Sequence, residues 1–183
     1  MKKKFGAVLA MIASTLVVPV LSASPASARC APPGNEVIYV FTNKSFTYYP
    51  TNIHSDWAVF RKGGSITYSK TKTMEVNASV TATVSAEAGV IFAKASTSLG
   101  LTVGGSKSWT QQWSYTANVP ADTQHKYRLH AYHYTANFSV MKKRFNGAPS
   151  VCNYQNAWSR WQRVTHAPAK ASRNVWRLDK AAA

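Results

Sequence analysis

Residues 73–88 read Thr-Met-Glu-Val-Asn-Ala-Ser-Val-Thr-Ala-Thr-Val-Ser-Ala-Glu-Ala. Every even position is apolar and every odd position is polar. Sixteen residues of unbroken period two is the pattern of a half-buried strand, because successive side chains of a strand point to opposite faces. Its extended length of about 53 Å exceeds what a compact domain of this size accommodates. The reading is therefore an elongated body, or a strand broken into two pieces.

At Gly89 the phase slips. Val90, Ile91 and Phe92 form a short apolar patch, and alternation resumes on odd positions, Ile91, Ala93, Ala95, Leu99, Leu101 and Val103. Two such arms suggest a long amphipathic β-hairpin over about 73–103 with its tip near Glu87–Phe92. A bulge at Gly89 in a bent strand reads the same letters as well. The segments on either side are also strand-like. They are Glu36–Phe41, Trp57–Phe60, Ile66–Tyr68, Trp109–Val119, Tyr127–Met141 and Asn174–Leu178. Gly63-Gly64, Pro120-Ala121-Asp122 and Asn146-Gly147 supply turns. Ala157–Val164 fits either a strand or a short helix. The fold class is all-β, an elongated antiparallel sheet or sandwich.

The N-terminus carries a different signal. Lys2, Lys3 and Lys4 precede an apolar run from Phe5 to Leu21, and Ala26-Ser27-Ala28 follows as a small-x-small site. This predicts a signal peptide over 1–28, and a secreted, extracellular β domain over 29–183. Removing it leaves 19 basic residues against six acids, a charge of +13. In an oxidising compartment Cys30 and Cys152 have one possible intramolecular pairing; free thiols or an intermolecular bridge are the alternatives.

Composition argues against several activities. Six carboxylates are too few for an acidic metal cage and make a paired-carboxylate hydrolase improbable. Two cysteines cannot build a four-cysteine zinc site. His130 and His133 fall on opposite faces of a strand, so their spacing does not suit a metal. There is no Gly-x-Ser-x-Gly elbow and no phosphate-binding loop. The expectation is a protein without enzymatic activity or cofactor. A hydrolase or inhibitor built around one of His54, His125, His130, His133 or His166 stays open as the third function class.

The basic excess suggests a partner. Lys142, Lys143 and Arg144 are contiguous, and Arg160 and Arg163 follow, interleaved with Trp158 and Trp161. Cation-plus-aromatic surfaces suit polyanions, so these seven residues are the candidates for binding an anionic membrane, an anionic cell envelope or an acidic partner protein. Secretion argues against nucleic acid as that partner.

Residues Lys72–Val119 and Pro120–Val140 together resemble the aerolysin-type β-pore-forming proteins, in particular the epsilon-toxin/mosquitocidal-toxin branch. The resemblance rests on the Ser/Thr-rich alternation of Thr73–Val103, the apolar tip Gly89-Val90-Ile91-Phe92 and the turn Val119-Pro120-Ala121-Asp122. The chain is also similar to small secreted proteins of filamentous soil bacteria, some of them components of multiprotein antibacterial particles. The first resemblance implies a hairpin that lies flat on the soluble domain and inserts on homo-oligomerisation. Val84, Ala86, Val90, Ile91, Phe92 and Leu99 would be its insertion residues, and Glu87 and Lys94 would have to cross with them. The second implies an adaptor subunit that binds a partner protein. A middle segment coiled into helices, or chopped into short strands in a round body, would count against the toxin and the elongated-body readings together.

Overall fold

The computed structural model describes residues 36–148 and 151–183. The expected signal peptide and Cys30 lie outside the described residues. Cys152 takes part in a disulfide.

The fold is all-β in class, with 64% of the described residues in strands and 12% in helices. The described residues form, in order, β1 (Val37–His54), β2 (Ala58–Val59), β3 (Gly64–Asn77), α1 (Ala82–Ala86), α2 (Ala88–Leu99), β4 (Ser106–Val119), β5 (His125–Asn146), β6 (Asn153–Asn156), β7 (Gln162–Pro168) and β8 (Asn174–Ala182). β5 is the spine. Its 22 residues would extend about 70 Å, which makes the body long. β1 and then β2 line one edge of β5; β8, β7 and β6 are laid end to end along the other, all antiparallel. The ambiguous stretch before Val164 is irregular up to the start of β7.

β3 and β4 form a separate two-stranded ribbon in uninterrupted register, from Gly64↔Val119 to Asn77↔Ser106. Its outer face is a run of hydroxyl and amide side chains. Thr67 and Thr116 meet at 2.9 Å, Thr73 and Thr110 at 2.6 Å, and Thr71 donates to Gln112 at 2.6 Å. Its inner face carries Ile66, Tyr68, Met74, Trp109 and Trp113. These pack on Tyr127, Leu129 and Ala131 of the spine.

The expected hairpin over 73–103 is not present. Strand geometry stops at Asn77, and residues 82–86 and 88–99 are helical. Gly89 is neither a tip nor a bulge; it is the second residue of α2. The physical reason lies in a second periodicity within the same letters. Val84, Ala88, Ile91, Phe92, Ala95 and Leu99 recur at three- and four-residue intervals, which is one stripe of a helix. That stripe meets Ala136, Phe138 and Val140 of β5 and Val164 of β7. Alanines at 82, 86, 88, 93 and 95 lower the cost of the helix. Thr81 caps α1 by accepting from the Val84 amide, and Gly100 closes α2 in the left-handed region at φ 64°.

β5 carries no bulge of its own, so its residues keep strict alternation. Tyr127, Leu129 and Ala131 are odd-numbered and meet the ribbon; Ala136, Phe138 and Val140 are even-numbered and meet the helices. The ribbon and the helices therefore cover opposite faces of the sheet, at opposite ends of the spine. The sheet is left uncovered by both at two diagonal quarters.

Candidate functional site

The segment between Ala78 and Gly105 hangs from the register of the ribbon. The Ala78 amide donates to the Gly105 carbonyl at 2.7 Å, the first step beyond the last ribbon pair. Ser79 and Val103 then bridge to Thr165 and Ala169 at the edge of the sheet. Beyond that point the two chains part and the helices begin.

The predicted insertion residues divide by environment. Val84, Ile91 and Phe92 are buried, and Leu99 is half-buried against the same cluster. Ala86 is exposed, and Val90 is 51% exposed. The ring of Phe92 meets Phe138 edge-on, with centroids 6.4 Å apart.

Glu87, between the two helices, is the anchor that the sequence did not reveal. One oxygen accepts from Lys142 Nζ at 2.6 Å, and the other accepts from the Tyr39 hydroxyl. Trp158 closes over Tyr39 with centroids 6.2 Å apart. Burial pushes the Glu87 carboxyl up, but the hydrogen bonds from Lys142 and Tyr39, with the lysine charge, outweigh it and hold its pKa below the ordinary value. Burial, and then the bond to Glu87, lift the Tyr39 hydroxyl to about 12. Glu87 is the only acid between Glu75 and Asp122, so this segment has one carboxylate contact with the sheet.

The predicted basic cluster is not brought together as one surface. Alternation along β5 turns Lys142 toward the helices and Lys143 to the opposite face. Lys142 is consumed in the contact with Glu87. Arg144 lines a hollow of about 480 Å³ with Phe145, Asn146, Gln155 and Asn156. Trp158 serves Tyr39; Arg160 is exposed and Trp161 is 44% exposed. Arg163 lines a different hollow with Asn137 and His166. A second set of cation–aromatic pairs, which the sequence did not single out, lies on the even-numbered face of β5 and its neighbours. Arg128 covers Trp57 at 4.5 Å, Arg177 covers Tyr132 at 4.9 Å, and Arg173 covers Tyr134 at 5.5 Å.

His130 and His133 are engaged structurally. His130 bonds Asp179 through Nδ1 at 2.7 Å and the Thr51 carbonyl through Nε2 at 2.7 Å. His133 bonds Asn174 at 2.7 Å and the Ala169 carbonyl at 2.9 Å. Neither ring keeps a free nitrogen for proton transfer. Burial raises the Asp179 carboxyl, but Tyr132, His130 and Arg128 together outweigh it and lower its pKa. Among the described residues, no group of three or more His, Cys, Asp or Glu side chains comes together to hold a metal ion.

No known family model matches this chain, and comparison with characterised proteins finds no match.

Proposed function

We propose that this chain is a secreted, cationic, non-enzymatic toxin or toxin component. In this reading residues 78–105 are a membrane-inserting hairpin stored as two helices. The helices meet the condition set above against a toxin with a hairpin already in place, so the reading stands only on what the same residues can form when extended. The single observation that carries the reading is the register of the ribbon. Continued from Asn77↔Ser106, that register sets Val80 opposite Val103, Ala82 opposite Leu101 and Val84 opposite Leu99. On the other face it sets Thr81 opposite Thr102, Thr83 opposite Gly100 and Ser85 opposite Ser98. Apolar residues meet apolar residues except at Ala86, which faces Thr97, and on the other face hydroxyls meet hydroxyls or glycine except at Glu87, which faces Ser96; both faces stay in phase with the ribbon that already exists.

The extension supplies about twelve residues per arm with a tip at Val90–Ala93. A tilted strand needs about 9–11 to cross a bilayer. In lipid every backbone group must be paired, so strands from several copies would have to close into a barrel. The hydroxyl face would line water and the Val/Ala/Leu face would meet lipid. Glu87 and Lys94 fall on the hydroxyl face as diagonal neighbours, close enough to pair. No described helix is long and apolar enough to cross a membrane, and strands are not subject to that test. The charge of +13 after processing favours an anionic membrane as the target surface.

The test is a cysteine pair, Gly89→Cys with Lys94→Cys. On α2 these positions are five residues apart, and their Cα atoms are about 8–9 Å apart, too far for a disulfide. In the extended hairpin they face each other directly. Leakage from anionic vesicles, with the new disulfide found only in the vesicle-bound protein, is the expected result. Vesicles that stay sealed, and a pair that never oxidises on lipid, would end this reading. The adaptor reading would then be taken up through a co-purifying partner from the producing culture.

A further inference from the structure

We propose that a polar hollow on the odd-numbered face of the spine, at Asn137 and Ser139, binds a saccharide unit carrying a carboxylate or a phosphate. The site lies outside the ribbon and the helices, in one of the two quarters that neither covers. It has about 520 Å³ of space, in the range of small-ligand sites, and is lined by Asn43, Ser45, Asn137, Ser139, Arg163 and His166, among others.

Two β-bulges meet at this level, one from each edge of β5. β1 is irregular between Thr42 and Ser45, and β7 between the residues paired with Ala136 and Phe138. Each bulge holds a non-glycine residue in the left-handed region, Asn43 at φ 51° and His166 at φ 57°. Such backbone strain persists where the surroundings enforce it, and it gathers at binding sites. The His166 amide donates to Asn137 Oδ1 at 2.9 Å, Asn137 Nδ2 donates to Ser45 Oγ at 3.4 Å, and Asn43 Nδ2 donates to Ser139 Oγ at 3.3 Å. The two bulges are thus tied to the spine by amides and hydroxyls that retain further donor and acceptor capacity.

That inventory suits adjacent sugar hydroxyls, which both donate and accept. The His166 ring lies on Tyr49 with centroids 3.8 Å apart, and its nitrogens make no hydrogen bond among the described residues. Burial lowers its pKa, so at neutral pH the ring offers one donor and one acceptor. The Arg163 side chain is exposed and makes no ion pair or hydrogen bond among the described residues. Its planar fork fits a carboxylate or phosphate, and no carboxylate of the protein lines the hollow to claim it. The ligand class is therefore a sugar with an acidic group, and this inference does not depend on insertion.

Titration calorimetry of the full secreted chain with glucuronic acid, glucose 6-phosphate and glucose tests it. The two acidic sugars should bind, and glucose about tenfold more weakly, the scale of one charge-assisted contact. Arg163→Gln should erase that preference. His166→Gly suits the left-handed backbone while deleting the ring. It should leave the melting temperature unchanged or higher and weaken the acidic sugars about tenfold. Asn43→Gly is the matching change on the other bulge. The proposal fails if neither acidic sugar binds at about 10 mM, if all three sugars bind equally, or if His166→Gly binds them as the unaltered chain does.

Discussion

The β3–β4 ribbon and the helical segment between its strands carry the same alternation of apolar and hydroxyl residues, yet they take different structures. In the ribbon the apolar positions hold Ile66, Tyr68, Met74, Trp109 and Trp113, large enough to fill the space over the spine. Past Asn77 they hold alanine and valine, which gain less from a flat face on a sheet. Helix formation costs alanine little and brings Val84, Ile91 and Phe92 onto one side, where Phe138 and Val140 bury them. Period two therefore marks a face that can pair as a strand. The size of the side chains on that face decides whether it does.

The strongest way to break the contrast is Phe92→Ala. Phe92 is 7% exposed, and its removal empties the centre of the helical contact. A loss of about 3 kcal/mol is expected, at the lower end for buried aromatic residues. Denaturant titration measures it. Limited trypsin digestion localises it, because Lys94 is the only basic residue between Lys72 and Lys107. Cleavage should appear at Lys94 long before the ribbon is cut. A variant that loses stability while Lys94 stays protected would show that the helices and the ribbon unfold as one unit.

Glu87→Gln comes next. It leaves Lys142 without its anion in a half-buried setting, at a cost of about 1–2 kcal/mol. It also makes a statement about pH. The folded-state pKa of Glu87 lies below its unfolded value of 4.5, so its contribution is complete above that value. The contribution is lost as pH falls through the folded pKa, when the proton displaces Lys142 and Tyr39. Stability of the unaltered chain should drop faster than that of Glu87→Gln as pH is lowered from about 5. Parallel curves from pH 7 to pH 3 would remove Glu87 as the anchor.

What could be read in advance follows the same division. β4, the long aromatic strand β5 and the turns at Gly63 and Pro120 were legible, because Trp109, Trp113, Tyr127 and Leu129 are large and alternate on one face. The helices were not, although their stripe is present, because sixteen residues of perfect alternation mask a three-and-four spacing that is only complete with Ile91, Phe92 and Leu99. The contact of Glu87 with Tyr39 and Lys142 joins residues 48 and 55 positions away, and no local pattern announces it. Lys142-Lys143-Arg144 looked like one patch only until the strand turned its members to two faces. The hollow at Asn137 depends on two bulges, and a bulge at Asn43 or His166 has no glycine to mark it.

The smallest expected effect sharpens the comparison most directly. Gly89 sits in the first turn of α2, and a Cβ placed there meets nothing within 4 Å. Gly89→Ala should therefore stabilise the helical form by about 0.5–1 kcal/mol without disturbing a contact. If residues 78–105 act only as a cover for the sheet, the gain in stability is the whole effect. If they must leave the helix to reach a membrane, the same gain deepens the starting state, and the rate of vesicle leakage should fall about threefold for 0.6 kcal/mol. Alanine also favours a strand over glycine, which raises the stability of the inserted form and keeps the final extent of leakage unchanged. A slower approach to the same plateau is the result that separates a stored hairpin from a fixed lid. An unchanged rate with a raised melting temperature would assign the helices to the resting fold alone.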